Sequence, residues 1–293
     1  MGKQPLFSGS AAALITPFTP DEQVDERALR ELIERQIAAG TDALVVCGTT
    51  GEPATMTEKE QDLVIDLTVR QTRSRIPVLA GTGGNCTRAV IRRARRAREL
   101  GADGQLCVTP YYNKATQKGL IAHYTAVHDQ TDLPIILYNV PARTGLNMLP
   151  ETAAALAPLP RIVGIKDASG SLEQAERILQ LCGDRLPLYA GVDELSVALR
   201  GLGAAGAIFV LANIAPALCR SLMHAPMAEA HRLRAESEEL MRALSLEVNP
   251  IPVKAAAARL GLCQNVLRLP LTPLEEGHVP QLEQAMASAG LIC

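Results

Sequence analysis

Short apolar runs recur along the chain, and stretches with helical periodicity separate them. Each run is continuous rather than alternating, which is typical of strands in a parallel sheet that is covered on both faces. The runs cover residues 11–16, 43–47, 77–81, 105–109, 134–140, 162–167, 186–191 and 204–210. The pattern therefore predicts eight parallel strands.

The stretches between these runs carry helix signals. Residues 25–39 place Leu29 and Leu32 on one face, and Gly40 follows where a helix would end. Residues 57–60 read Thr-Glu-Lys-Glu, which has the form of a capping box at the start of a helix. The chain is therefore expected to alternate strand and helix.

Eight strand–helix units in about 220 residues predict an α/β fold of the closed (β/α)8, or TIM-barrel, type. The remaining residues are rich in helical pattern, over 227–247, 252–261 and 279–289. We therefore expect a catalytic barrel over 1–224 and a C-terminal helical subdomain over 225–293. An open doubly wound sheet is the alternative fold, but no GxGxxG motif follows the first strand.

Composition narrows the class of protein. The 293 residues are 47% apolar, enough for one large core or at most two domains, and the formal net charge is -2. Residues 88–98 contain six arginines, which would suit a nucleic-acid surface. Val90, Ile91 and Ala94 form a helical stripe in the same segment, so we expect the arginines on a solvated face and no nucleic-acid partner.

Cysteine, histidine and terminal patterns bear on location and metals. The seven cysteines form no CxxC motif and are expected to be small buried residues in a reducing cytosol. The five histidines lack metal-ligand spacing, so no metal is expected. No signal-peptide pattern occurs, and no apolar run reaches the ~20 residues that span a bilayer. These features predict a cytoplasmic protein without a membrane partner.

Lys166 is the unusual residue among the predicted strand ends, where barrel active sites form. It ends an apolar strand, in the run RIVGIKDA. One interpretation is a side chain that reaches solvent or forms an ion pair with Asp167. The other is an amine nucleophile, which burial makes reactive towards a keto group. The strand context favours the nucleophile.

Other polar residues end the neighbouring strands. Tyr138 could move protons during imine formation, or simply pack. The hydroxyls of Thr49 and Thr50 could hold a small carboxylate, or only shape a turn. Arg143 could bind a second carboxylate through two N–H groups, or form a surface salt bridge.

With these residues in view, the chain resembles the dihydrodipicolinate synthase family over residues 7–291. The matching runs are GTTGE (48–52), AGTGGN (80–85), VTPYYNK (108–114), LYNVPARTG (137–145), GIKDASG (164–170) and NPIPVK (249–254). Six runs in the right order are a specific signal, whereas any one of them alone would be weak.

The resemblance implies a role for each matching residue. Lys166 matches the Schiff-base lysine, and Tyr138, Thr49 and Tyr112 match a proton relay. The Tyr112-type residue comes from a neighbouring subunit in that family, which implies a homo-oligomer, either a dimer or a tetramer built as a dimer of dimers. The implied substrate contacts are Thr50 for the pyruvate carboxylate, Arg143 for the carboxylate of the aldehyde, and Gly191 and Ile208 for carbonyl groups that line the site.

The implied reaction condenses pyruvate with L-aspartate 4-semialdehyde, without a cofactor, in the diaminopimelate route to lysine. Two alternatives stay open. A related lyase could act on a keto-deoxy sugar acid, and Val192, in place of a common acidic residue, leaves room for this. Arg143 argues against it. The second alternative is a barrel that binds a ligand without catalysis, and the intact Lys166 and Tyr138 argue against it.

The resemblance also predicts a degenerate pocket for the effector L-lysine. Asn85 and Tyr111 remain from that pocket. Ala89 and Gln61 replace the Glu and His typical of lysine-sensitive relatives, and Pro53 replaces a small polar residue. We therefore expect weak or absent inhibition by L-lysine.

Overall fold

Eight parallel strands close into a barrel in the computed structural model, which describes residues 2–293. Each strand pairs with its neighbours in chain order, and β8 pairs with β1 to close the ring. The strands are β1 Gly9–Ala13, β2 Ala43–Val46, β3 Val78–Gly81, β4 Gly104–Val108, β5 Ile135–Asn139, β6 Ile162–Asp167, β7 Leu188–Ala190 and β8 Gly206–Phe209. The predicted (β/α)8 barrel is confirmed.

Thirteen α-helices accompany the strands within the described residues. They are α1 Glu26–Ala38, α2 Glu58–Thr72, α3 Thr87–Glu99, α4 Gln117–Gln130, α5 Pro141–Thr144, α6 Pro150–Leu156, α7 Leu172–Cys182, α8 Ser196–Gly201, α9 Pro216–His224, α10 Met227–Glu236, α11 Glu238–Ala243, α12 Ile251–Arg259 and α13 Val279–Ser288. Among residues 2–293, no helix combines the length and apolar character needed to cross a membrane.

Local sequence explains where the helices begin. The Asp25 carboxylate accepts a hydrogen bond from the backbone N–H of Ala28 at 3.0 Å and caps α1. Thr57 and Glu60 form the predicted capping box at the start of α2. Gly40 follows α1 with φ +77°, a conformation that favours glycine.

The first strand ends earlier than its apolar run predicts, at Ala13 rather than residue 16. At that point, the Asn213 side chain forms hydrogen bonds with the backbone of the first strand and the segment after it. It accepts from Ile15 N at 2.9 Å and donates to Ala13 O at 2.8 Å. These bonds give two backbone groups near the strand end hydrogen-bond partners in place of the ladder.

The C-terminal helices pack onto the barrel and onto one another. α10 contacts α8 and α9, whereas α11 and α12 contact α13. The prediction of one helix over 227–247 was wrong, because the chain breaks at Ser237, whose hydroxyl donates back to Leu233 O at 2.8 Å. The domain boundary between residues 224 and 225 stays a prediction.

The arginine-rich segment forms α3. Its stripe of Val90, Ile91, Ala94 and Ala97 is buried against the barrel, as predicted. Two of its arginines pair with α2, because Arg92 lies 2.5 Å from Glu58 and Arg96 lies 2.8 Å from Asp62. Ion pairs between α3 and α2 on a solvated face thus balance part of the positive charge of α3.

All seven cysteines are free thiols. Cys47, Cys107, Cys182 and Cys219 are buried, as the apolar runs predict. The same prediction was wrong for Cys86 and Cys293, which are exposed because they lie at a helix start and at the chain end.

Candidate active site

The carboxyl ends of the strands surround a cavity of about 360 Å³. Because all eight strands are parallel, the residues at their ends reach the same rim. The cavity brings together six of the eight predicted catalytic and substrate-binding residues: Thr49, Thr50, Tyr138, Arg143, Lys166 and Gly191. Tyr112 and Ile208 do not line it.

Lys166 lies on β6 and faces the inside of the barrel, with 5% of its surface exposed. Tyr138 lies directly opposite on β5 in the strand register and is 6% exposed. The Lys166 Nζ atom lies 4.5 Å from the centroid of the Tyr138 ring. The cavity therefore presents a primary amine beside a phenol, both on largely buried side chains.

Asp167 points away from Lys166, because successive side chains on a strand face opposite sides. Its carboxylate accepts hydrogen bonds from Asn139 Nδ2 at 2.9 Å, Ser169 Oγ at 2.5 Å and Gln174 Nε2 at 3.2 Å. These donors satisfy the buried carboxylate. The interpretation of Lys166 as the partner of Asp167 in an ion pair is therefore wrong.

Thr49 and Thr50 lie in a single 3-10 turn, Thr49–Gly51, which two residues separate from the end of β2. Thr50 is 3% exposed, and its Oγ1 accepts a hydrogen bond from Asn249 Nδ2 at 3.0 Å. Because that bond uses one lone pair, the Thr50 hydroxyl keeps its proton for a ligand in the cavity.

Arg143 lies in the short helix α5, at the mouth of the cavity, and is exposed. It donates to the backbone carbonyl of Asn249 at 2.9 Å. No carboxylate of the described residues lies within ion-pair distance of its guanidinium, so the surface salt-bridge interpretation fails. Its remaining N–H donors are available to an anion.

Asn249 is a site residue that the sequence analysis missed, although the run NPIPVK was noted. It connects Thr50 to Arg143 by the two bonds given above. Its side-chain Oδ1 is buried and has no hydrogen-bond partner. Sequence periodicity offers no signal for this role, since Asn249 precedes a helix of the C-terminal region.

Asp193 is a second missed residue of the cavity wall, in the 3-10 turn after β7. Burial raises the pKa of its carboxyl to about 6, while the hydrogen bonds from Leu211 N and Val210 N act in the opposite direction. The sequence signal that could have identified Asp193 was its position just after the end of a predicted strand.

Gly191 and Ile208 are held by the barrel itself. A Cβ at Gly191 would lie 2.8 Å from Ala168 Cβ and 2.9 Å from Asp167 O, so only glycine fits. Ile208 is buried in β8, where it pairs with Ala11 in the register. Neither side chain offers a polar group, and only their backbones are available to a ligand.

Tyr112 lies outside the cavity of its own chain. Its side chain is 90% exposed, and its φ of +72° lies in the left-handed region that non-glycine residues seldom adopt. The Tyr112 side chain therefore makes little contact with the rest of its own chain.

A second cavity of about 370 Å³ adjoins the first and shares Thr49, Tyr138 and Arg143 with it. Tyr111, Gln61 and Pro53 line it, whereas Asn85 does not. The Gln61 amide already donates to Pro53 O at 3.0 Å and to Met56 O at 3.2 Å.

One group of potential metal ligands occurs among residues 2–293: Glu247, Glu275 and His278, with ligand atoms within 4.8 Å of one another. His278 Nδ1 lies 2.8 Å from Glu247, and Glu275 N donates to the same carboxylate at 2.9 Å. These hydrogen bonds explain why the three residues lie together: they connect the loop after α11 to the segment before α13.

A closed (β/α)8 barrel with an enclosed lysine on β6, beside a tyrosine on β5, defines the class of lyases that form a Schiff base with a keto acid. The model of the dihydrodipicolinate synthetase family matches residues 6–289. The chain belongs to this family, as its motifs predicted.

Similar proteins support the same assignment. The 4-hydroxy-tetrahydrodipicolinate synthase of Geobacter sulfurreducens is 49% identical over 98% of this chain and 100% of its own length. The crystal structure of dihydrodipicolinate synthase from Acinetobacter baumannii with pyruvate is 42% identical, covers 97% of this chain and 99% of its own, and has a TM-score of 0.96. The Cyanidioschyzon merolae enzyme with lysine bound is 37% identical, covers 99% and 100%, and has a TM-score of 0.95.

Proposed function

We propose that the chain condenses pyruvate with L-aspartate 4-semialdehyde to give 4-hydroxy-tetrahydrodipicolinate, in the diaminopimelate route to lysine. The observation that carries this proposal is the enclosed amine of Lys166 opposite Tyr138, in a cavity whose mouth holds Arg143. The names of the similar proteins support the same reaction.

In the proposed first step, the Lys166 amine attacks the keto carbon of pyruvate. The carbinolamine then loses water and leaves an imine on the lysine. Loss of a methyl proton gives an enamine, whose carbon is the nucleophile for the second substrate. An enclosed site serves this sequence because water would hydrolyse the imine.

In the proposed second step, the enamine carbon attacks the aldehyde carbon and forms the new C–C bond, and the aldehyde oxygen takes up a proton. The amino group of the bound substrate then attacks the imine carbon and closes the ring. The C–N bond to Lys166 breaks, so the amine returns to its starting state.

Proton transfers in these steps are proposed to run through Tyr138, Thr49 and Tyr112. The Tyr138 phenol lies beside the amine, and Thr49 lines the same cavity. Tyr112 would complete this relay in a neighbouring subunit, which fits its 90% exposure. A homo-oligomer, a dimer or a tetramer, is therefore part of the proposal.

Two carboxylates are proposed to have separate contacts. Thr50 and the N–H groups of its turn would hold the carboxylate of pyruvate. Arg143 would hold the carboxylate of the semialdehyde by charge-assisted hydrogen bonds, and the backbones of Gly191 and Ile208 would complete the lining. We further propose a cytoplasmic location, in keeping with seven free thiols.

The test is turnover of pyruvate with L-aspartate 4-semialdehyde, compared with sugar aldehydes under the same conditions. We expect product only with the semialdehyde. Preferred use of a sugar aldehyde would assign the chain to a keto-deoxy sugar acid lyase, and absence of any turnover would leave only a binding function.

A further inference from the structure

A lysine and a glutamate from distant parts of the chain form an ion pair inside the protein. Lys254 Nζ on α12 lies 2.5 Å from Glu52 Oε1, and neither side chain has solvent-exposed surface. Other ion pairs of residues 2–293 keep at least part of a side chain in solvent. The proposed reaction steps use neither residue, although GTTGE and NPIPVK are both family motifs.

Further contacts fix the geometry of this pair. Lys254 Nζ also donates to Val266 O at 2.9 Å and lies 4.1 Å from the centroid of the Phe18 ring. The second carboxylate oxygen of Glu52 accepts from Arg268 N at 3.3 Å. Lys254 Nζ and the second oxygen of Glu52 thus each have a partner outside the pair, whereas Glu52 Oε1 contacts Lys254 Nζ as an ion pair and accepts no hydrogen bond.

The pair connects α12 to the turn that carries Thr49 and Thr50. Glu52 directly follows this turn, and its N–H donates to Thr49 O at 3.2 Å. Its φ of +54° lies in the left-handed region, and its side chain reaches Lys254 on α12. Asn249, just before α12, makes a second connection by its bond to Thr50.

Stability alone does not account for such a pair, because apolar residues of similar volume are often at least as stabilising as a buried ion pair. The distinctive consequence of an ion pair is a fixed position for both partners. We propose that Glu52 and Lys254 are positioning residues, which hold the Thr49–Thr50 turn where it contacts pyruvate. This inference rests on the proposed function.

Three variants test it: Glu52→Gln, Lys254→Met, and the double variant Glu52→Leu/Lys254→Met. The measurements are the pyruvate concentration for half-maximal borohydride trapping, the KM for each substrate, and the midpoint of thermal unfolding. We expect the pyruvate concentration to rise about tenfold in all three, as for loss of one hydrogen bond to a carboxylate. The KM for the semialdehyde should change much less.

The double variant separates positioning from stability. It removes both buried charges, so its thermal midpoint should exceed those of the single variants, while its pyruvate half-saturation stays raised. Recovery of both properties would overturn the proposal, and so would wild-type pyruvate binding in every variant. If the single variants fail to fold, the double variant decides alone.

Asp42→Asn is the matched control. Asp42 lies just before β2, at the opposite end of the barrel, and pairs with His224 at 2.7 Å. This variant should lower the thermal midpoint without changing pyruvate half-saturation. Failure of the unmodified protein to be trapped by pyruvate would instead contradict the proposed function itself.

Discussion

Tyr138 and Lys166 lie directly opposite each other on β5 and β6, and the Lys166 amine lies 4.5 Å from the centroid of the Tyr138 ring. The pairing register of two strands creates this relationship, since the residues are far apart in the chain. It brings a nucleophile and a proton donor into one enclosed volume, and the next residues along, Asn139 and Asp167, hydrogen-bond on the opposite side of the sheet.

Borohydride reduction in the presence of pyruvate should leave an adduct on Lys166. Peptide mass spectrometry locates the mass gain. Tyr138→Phe should slow trapping by about 10²-fold or more, because a positioned proton donor typically contributes 10²–10⁴-fold. An adduct on Lys254 or on any other lysine would contradict the mechanism.

Arg143→Ala should raise the KM for L-aspartate 4-semialdehyde about 10- to 150-fold and spare pyruvate trapping. The physical reason is the loss of a charge-assisted contact worth roughly 1.5–3 kcal/mol. Steady-state kinetics at saturating pyruvate measures the effect. Arg177→Ala, which removes an exposed arginine near Glu151 on α6, is the control and should leave both substrates unaffected.

Tyr112→Phe and Lys166→Ala should each be nearly inactive, yet mixed subunits should regain activity. In a mixed dimer, one site combines an intact Lys166 with an intact Tyr112 from its partner. Subunit exchange followed by an activity assay makes the measurement. If Tyr112 served its own chain, no mixture would recover activity.

L-Lysine should inhibit weakly, with half-inhibition above about 1 mM, which corresponds to a binding free energy near -4 kcal/mol. Ala89 cannot pair with an ammonium group, and both donors of the Gln61 amide already bond to backbone carbonyls. Initial rates against L-lysine concentration test this, and Ala89→Glu should increase sensitivity. Half-inhibition well below 1 mM in the unmodified protein would show that lysine binds through other groups.

His123 should make stability depend on pH. It is 6% exposed, and burial lowers its pKa to about 4. A lowered pKa means that the unfolded chain binds the proton more readily, so its contribution to stability is present above pH ~6.5 and is lost as pH falls to about 4.

The contribution of His123 is up to about 3 kcal/mol. His123→Asn retains a polar group near Thr87 Oγ1, the 2.9 Å partner of Nδ1. Urea unfolding between pH 4 and pH 7 should therefore show a smaller loss of stability in this variant. His231→Asn, at an exposed position, should retain the wild-type pH dependence, and an equal dependence in His123→Asn would refute the assignment.

Much of the fold follows from local sequence. Continuous apolar runs predicted all eight strands. Both faces of each strand are covered, so nearly every position along the strand has to be apolar. Lys166 was recognisable for the same reason, as a charged residue in an otherwise apolar strand end. The capping residues Asp25 and Thr57 likewise act on groups only three residues away.

The contacts that shape the site depended on tertiary structure. Asn249 meets Thr50 across 199 residues, and Lys254 meets Glu52 across a similar distance. Apolar periodicity reports which face of an element is buried, but not which distant element covers it. Barrel closure and the packing of α12 decided those partners, and strand register decided that Tyr138 lies beside Lys166.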